Sequence, residues 1–312
     1  MKIAFQMDPI ESVDISADST FRIAEEAQIR GHDLYVYTPN DLTFNRSKIT
    51  AKVRSISLKR IIGDHVSFGA IEIVDLTEFD VIWLRQDPPF DMGYITNTHL
   101  LDLIARETLI VNNSFWVRNL PEKLLVLEFP DLIPDTVISR DLEEIKEFKR
   151  EFKDIIIKPL YGNGGAGIFR LKEDDKNLTS LHELFSNMSS EPLIAQAFLP
   201  DVKNGDKRII LVDGSPVGAI NRIPKAGEIR SNMHVGGKAE PAKLSQRDKE
   251  ICSEIGPTLK SKGQVFVGID VIGEYLTEIN VTSPTGIQEL ERFDNVNIAE
   301  MIWHSVEKKL NN

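Results

Sequence analysis

The chain reads as an α/β protein of α+β character in two parts, an open α/β domain followed by a second domain built from antiparallel hairpins. Three observations carry this: a strand, helix, strand opening, hairpin signals towards the C-terminus, and a length of 312 residues, about twice a typical domain of ~150. Lys2 to Met7 is a short apolar run fit for a buried strand, Ser19 to Arg30 is amphipathic and stops at Gly31, and Asp33 to Thr38 is a second strand. Val81 to Arg85 and Leu109 to Asn112 are further short apolar runs ending in polar residues, as strands do where an open sheet faces a ligand crevice. The first domain is expected to end near Leu120, giving parts 1–120 and 121–312.

In the second part, Glu122 to Phe129 is expected to be helical, and Asp141 caps a helix with apolar positions Leu142, Ile145, Phe148 and Phe152. Asp154 to Lys158 is an isoleucine-rich strand, and Lys207 to Val212 and Val217 to Arg222 flank the turn Asp213-Gly214. Between Ile223 and Pro241 the periodicity disappears, which suggests a functional cover rather than a simple connector. Ser245 to Ser261 is a helix containing Pro257, Gln264 to Ile272 and Leu276 to Val281 form a hairpin, and Asn297 to Leu310 is the last helix.

Composition removes several function classes. Hydrophobic residues at 41% and charged residues at 27% are ordinary for a globular chain, which excludes wholesale disorder. A net charge of −11 argues against a nucleic-acid partner, because a polyphosphate backbone would be repelled. The single cysteine, Cys252, excludes an intramolecular disulfide and lies in a helical run without a basic neighbour, so a structural role in a reducing compartment is expected. No apolar run approaches the roughly 18 residues of a membrane span. The start lacks the apolar core of a signal peptide, so a cytoplasmic setting is expected.

Two motifs carry chemistry. Gly162-Asn163-Gly164-Gly165-Ala166-Gly167 has the spacing of a dinucleotide fingerprint, yet Ile168 to Leu171 after it reads as a strand, not a helix. A glycine loop between two strands can fold backbone N–H groups over phosphates. Lys158 ends the preceding strand, where a bound phosphate is its natural counter-charge. The second motif is Asp270 with Glu278 and Asn280, the last two on one face of their strand because side chains alternate. A three-residue turn, Gly273-Glu274-Tyr275, puts Asp270 opposite Glu278; a two-residue turn puts it opposite Thr277. The first register gives a hard oxygen set suited to magnesium shared with phosphate. The six histidines show no zinc spacing and receive no role.

With these motifs, the chain resembles the ATP-grasp superfamily, and within it the bacterial glutathione synthetases. The resemblance rests on Met7 to Ile10, Arg85 to Asp91, Gly205 to Arg208 and Thr277 to Thr285, and runs the length of the chain. It implies an N-terminal open α/β domain followed by an ATP-grasp domain, with a lid subdomain of about 121–200 and a catalytic part of about 201–312. It implies an ATP-dependent ligase that joins γ-L-glutamyl-L-cysteine to glycine through an acyl phosphate. Lys123, Lys158 and Gly162, Asn163, Gly164 and Gly165 would hold ATP phosphates, the backbone of Gln196, Ala197, Phe198 and Leu199 the adenine, and Asp206 the ribose. Asp270, Glu278 and Asn280 match metal ligands for magnesium or manganese. Arg208 and Arg222 would stabilise the acyl phosphate and the later tetrahedral intermediate, and Arg230 would reach phosphate or substrate from the cover. Arg85, Asp87, Asn280, Ser283 and Pro284 would contact the dipeptide. A homotetramer without membrane or nucleic-acid partners is also implied. Three departures from the resemblance stand out: Gln86 in place of lysine, Gly167 in place of serine, and Lys238-Ala239 in place of Arg-Gly. Another carboxylate-amine ligase, or a nucleotide-binding module without turnover, are the alternative readings.

Overall fold

β1 (Lys2–Gln6) is the centre of the first sheet, because every residue after Lys2 in it is buried. The computed structural model describes residues 1–231 and 236–311. β2 (Asp33–Tyr37) and β6 (Val81–Leu84) pair with β1 in parallel, and β7 (Leu109–Val111) extends the sheet beside β6. α1 (Ser19–Ile29) makes the first crossover; the Asp18 carboxylate caps it by accepting from the Phe21 N–H at 2.6 Å. On the other edge, β4 (Lys48–Leu58) runs antiparallel to β2 and carries β3 (Leu42–Asn45) and β5 (Val66–Asp75). α2 (Met92–Asp102) and α3 (Ser114–Asn119) follow β6 and β7.

The second sheet is antiparallel, in the order β10 (Phe169–Leu171), β9 (Ile155–Pro159), β11 (Leu193–Ala197), β8 (Thr136–Ser139). α4 (Leu142–Phe152) and α5 (Leu178–Met188) cover one face, closing a small core around Ile145, Ile155, Ile157 and Leu178. The third sheet has the order β14 (Lys238–Ala242), β13 (Ser215–Ile223), β12 (Asp206–Val212), β15 (Phe266–Ile272), β16 (Tyr275–Asn280). α6 (Gln246–Ser261) packs Ile251, Cys252, Ile255 and Leu259 against Ile209, Leu211, Val267 and Ile269 of that sheet.

The opposite face of the third sheet meets α7 (Ile287–Asp294) and α8 (Ile298–Leu310), and these two helices also cover the first sheet. Ile3, Phe5 and Trp83 share one core with Ile210, Ile220, Leu290 and Trp303, whereas Ala4 and Ile82 face the other way, the alternation a two-sided sheet requires. Trp83 and Trp303 meet edge to face with centroids 5.7 Å apart, and the Trp303 Nε1–H donates to the Ile23 carbonyl at 2.8 Å. Asn112, the last residue after β7, ties the sheets together directly. Its Nδ2 donates to the Phe266 and Val281 carbonyls, both at 2.8 Å, and its Oδ1 accepts from the Val265 and Phe266 N–H groups at 2.9 and 3.0 Å.

Three sequence expectations need correction. Glu122 to Phe129 is not an α-helix but a turn followed by a 3-10 segment at Leu125–Glu128, because its backbone bends to pair with β16 through the Glu122 carbonyl, which accepts from the Ile279 N–H at 3.1 Å. Ile223 to Pro241 is not patternless throughout, since β14 lies at its end; Pro241 stays compatible because β14 is an edge strand. The hairpin of β15 and β16 closes through the two-residue turn Gly273-Glu274, with Ile272 opposite Tyr275. Asp270 nevertheless faces Glu278, because a bulge between Asp270 and Val271 absorbs the extra residue. None of the described helices is long and apolar enough to cross a membrane.

Candidate active site

Pairing across the third sheet builds the floor of a cleft. Arg222 on β13 stands opposite Asp206 on β12, Arg208 two residues along β12 stands opposite Asp270 on β15, and Asp270 stands opposite Glu278 on β16. Strand alternation sends these charges to one face and Ile209 and Ile269 into the core.

The charges interlock. The Arg208 guanidinium grips Asp270 with two bonds, Nε to Oδ1 at 2.5 Å and Nη2 to Oδ2 at 3.0 Å, and its Nη1 donates to the Thr285 carbonyl at 3.2 Å. Arg222 Nη2 bridges two carboxylates, 2.9 Å from Asp270 Oδ1 and 2.6 Å from Asp206 Oδ2. Burial alone would raise the Asp270 pKa, but the two guanidiniums outweigh it and hold the carboxyl well below the ordinary range. For Arg222, burial works against the charge and the two carboxylates overcome it, so the cation is held beyond its usual value. Asp206 shares the Arg222 cation with Asp270, its Oδ1 has no hydrogen-bond partner among the described residues, and burial together with the Asp270 charge raises its pKa.

Opposite the floor, β9 and β11 form the other wall of a cleft that opens to solvent. Lys158 and Gln196 both line it, and the Lys158 ammonium donates to Gln196 Oε1 at 3.3 Å. Burial lowers the Lys158 pKa, and the Glu278 carboxylate works against that shift. Ala197, Phe198 and Leu199 continue the wall. The Ala197 and Phe198 N–H groups are spent on the Asp135 and Asp154 carbonyls at 3.0 Å, while the Leu199 N–H has no partner among the described residues.

The glycine loop covers the cleft from above β9. Gly164, Gly165 and Gly167 have φ of +60°, +81° and +72°, a region that only glycine occupies without strain. Gly167, which departs from the serine of the resemblance, therefore suits this backbone, and a Cβ there would also come within 3.1 Å of Pro159 Cδ. Arg230 lies against the loop, with Nη1 3.5 Å from the Gly165 carbonyl, and is held by Glu228 at 2.6 Å. Of the cover expected between Ile223 and Pro241, residues 232–235 lie outside the described residues. Lys238 starts β14 and pairs with Glu240 at 2.9 Å, away from the cleft lining.

Lys123 stands at the junction of loop and floor, donating to the Gly162 carbonyl and lying 3.4 Å from Glu278 Oε1. Glu278 and Asn280 flank Asp270. The Asn280 Nδ2 donates to the Gly268 carbonyl at 3.1 Å and to Asp270 Oδ2 at 3.4 Å, which leaves its amide oxygen without a donor among the described residues. Two carboxylates and an amide oxygen fit a divalent cation that prefers hard oxygen ligands. No group of three His, Cys, Asp or Glu side chains placed to hold a metal ion by themselves occurs among the described residues, so the amide oxygen of Asn280 is needed to complete the set.

The proposed dipeptide contacts are placed differently. Arg85 does not line the cleft: its Nε donates to Thr20 Oγ1 and its Nη2 to the Pro284 carbonyl, both at 2.9 Å, so it fastens the first sheet to the loop after β16. Asp87 is exposed, with its backbone N–H on Asp8 Oδ2 at 2.9 Å, and Ser283 is half-buried. Gln86 points into the interior, accepting from Gln6 Nε2 at 3.0 Å and Asn97 Nδ2 at 3.4 Å. A lysine there would face two amides with no carboxylate, so the departure from the resemblance is a buried packing feature. Glu122, which the sequence reading did not single out, sits beside Lys123 and accepts from Thr282 Oγ1 at 2.6 Å. Its adjacency to Lys123 was the available signal.

A nucleotide-sized cleft between two antiparallel sheets, with lysines on one wall and an arginine-carboxylate floor on the other, defines the ATP-grasp class. Solved structures share the fold: the D-cycloserine synthetase DcsG matches with a TM-score of 0.71 and 15% identity over 99% of this chain and 100% of that one. The ATP-grasp ligase PsnB, solved with a precursor variant, Mg and ADP, matches with a TM-score of 0.62 and 17% identity over 100% of this chain and 98% of that one. Residues 1–118 match the N-terminal domain of prokaryotic glutathione synthetase, and residues 122–295 match its ATP-grasp domain. The glutathione synthetase of Brucella melitensis biotype 1 is 57% identical over 99% of both chains, and that of Agrobacterium fabrum is 56% identical over 98% of this chain and 96% of that one. The chain belongs to the prokaryotic glutathione synthetase family.

Proposed function

We propose that the protein is a glutathione synthetase, an ATP-dependent ligase that joins γ-L-glutamyl-L-cysteine to glycine and releases ADP and phosphate. The observation that carries this reading is the Arg208-Asp270-Arg222 cluster facing Lys158 and the glycine loop across one cleft, in a chain of that family. Lys158 and Lys123 bind ATP phosphates beneath the Gly162 to Gly167 backbone, and the Leu199 N–H is the free donor for adenine. Asp206 Oδ1 is the free acceptor for a ribose hydroxyl.

The cysteinyl carboxylate of the dipeptide attacks the γ-phosphorus, the bond to ADP breaks, and an acyl phosphate forms. Arg208 and Arg222 are fixed before the substrates arrive, so they stabilise charge on the acyl phosphate and on the tetrahedral intermediate without reorganising. The glycine amine then attacks the acyl carbon and phosphate leaves. Asp270, Glu278 and Asn280 would hold magnesium or manganese, which would offset phosphate charge and so reduce its repulsion of the incoming carboxylate. A lid subdomain of 121–200 and a cytoplasmic homotetramer belong to the same proposal; family resemblance supports them.

The test is phosphate release from the purified protein with ATP and magnesium, adding the dipeptide and glycine separately and then together. Release that needs both, with a product one glycine residue heavier than the dipeptide, is expected. Release with no glycine adduct would transfer the reading to another acceptor, and no release would support a module that binds nucleotide without turnover.

A further inference from the structure

A second, smaller pocket, with room for a group about the size of a water molecule or an ammonium, lies beside the glycine loop at Gly162 and Asn163. Phe90 and Tyr94 of the first part form one wall, and Glu122, Lys123, Asn163 and Thr282 form the other. Phe90 stacks on Tyr161 at the start of the loop, with centroids 5.9 Å apart and rings 27° from parallel.

Two polar groups at this cavity are left unfinished. Tyr94 is 1% exposed, yet its hydroxyl has no hydrogen-bond partner among the described residues. Buried hydroxyls without partners are uncommon and call for a ligand or water. The Glu122 carboxylate receives one bond, from Thr282 Oγ1 to its Oε1, and its Oε2 has no donor among the described residues. Burial raises the Glu122 pKa and the Glu278 charge adds to the rise, so the carboxylate is short of positive charge. Lys123 does not supply enough of it, being already engaged by the Gly162 carbonyl and Glu278. An acceptor carboxylate and a hydroxyl converging on one space fit a group with several N–H donors and positive charge, while Glu122 would repel a carboxylate or phosphate.

We infer that this cavity is a subsite for the primary amino group of an amino-acid substrate, with Glu122 Oε2 and Tyr94 Oη as its partners. The inference rests on the ligase reading above, which offers two such groups: the amine of glycine and the α-ammonium of the dipeptide. Neither is available on ATP, so the subsite discriminates among substrates through Glu122 and Tyr94, although it shares Lys123, Gly162 and Asn163 with the phosphate side of the nucleotide cleft.

Steady-state kinetics of the unsubstituted protein come first, since absence of turnover there defeats the ligase reading and not the subsite. Glu122→Gln and Tyr94→Phe are then compared with it. Glu122→Gln is expected to raise the KM of one amine substrate about tenfold or more, as loss of a charged hydrogen bond does. Tyr94→Phe, which removes only an unpartnered hydroxyl and so keeps the fold, should raise the same KM several-fold. The KM for ATP should stay within about twofold in both. A rise for glycine alone identifies the acceptor. A rise for the dipeptide that disappears with its analogue glutaryl-cysteine, which lacks the amine, identifies the α-ammonium. Unchanged KM values for both amine substrates in Tyr94→Phe and Glu122→Gln, or an effect on ATP alone, would overturn the subsite.

Discussion

The floor of the nucleotide cleft and the loop above it face the same phosphates with opposite construction. On the floor, Arg208, Arg222 and Asp270 are all at most 7% exposed and hold one another by direct ion pairs across three strands. The loop has three glycines at positive φ, and Arg230 beside it is a third exposed. The contrast teaches where each kind of work is done: charge stabilisation needs groups fixed in advance, whereas admitting a nucleotide needs backbone that can adjust.

Substitutions should separate the two regions. Asp270→Asn is expected to do the most damage, because it leaves two buried guanidiniums without their shared carboxylate. Turnover should fall at least about a thousandfold, and stability should fall by about 3–5 kcal/mol, read as kcat and as a denaturation midpoint. A variant that kept its midpoint would show that the floor is not held by this cluster. Glu278→Gln sharpens the point from the side of function. Its side chain is partly exposed and its one ion pair, to Lys123, is 3.4 Å long, so turnover should be lost while stability changes by less than about 1 kcal/mol. Normal activity would remove Glu278 from the metal set.

Gly165→Ala tests the loop. Its φ of +81° would cost alanine about 1–2 kcal/mol, and the added methyl would meet Arg230 Cδ at an ordinary 3.5 Å. The strain should fall on the loop, giving about a tenfold lower kcat/KM for ATP with a melting temperature within a few degrees of the original. Global unfolding would mean that the loop is part of the structural core.

The smallest effect on activity is expected at Cys252, in the core under the floor. Burial pushes its thiol up to about 12, with the Asp248 charge adding to the rise. The folded value is raised, so its stabilising contribution is complete below the ordinary thiol pKa and is lost as pH rises towards about 12. Cys252→Ser should keep activity within about twofold and should lose melting temperature less steeply than the original above pH ~9. Equal slopes would show that the thiol does not set alkaline stability.

Much of the floor was legible in the sequence because it depends on strand alternation, a local property. Glu278 and Asn280 on one face follow from it; Asp270 opposite Glu278 does not, since the two-residue turn alone would put Asp270 opposite Thr277 and only the bulge restores the pairing. The β3 to β5 extension went unread even though Lys48 to Leu58 alternates well, with Ile49, Ala51 and Val53 buried between more exposed neighbours. What could not be read is where long side chains end. Arg85 reaches the Pro284 carbonyl 199 positions away, and Gln86 turns inward to Gln6, because tertiary packing alone sets those partners. Tyr94 and Glu122 likewise converge only once the two parts are assembled.

Attack by the dipeptide carboxylate at this preorganised floor is tested most directly by isotope transfer. With both oxygens of the cysteinyl carboxylate labelled as oxygen-18, and ATP, magnesium and glycine present, the released phosphate should carry one labelled oxygen per turnover. Unlabelled phosphate, with the displaced label lost to water instead, would contradict an acyl phosphate formed there.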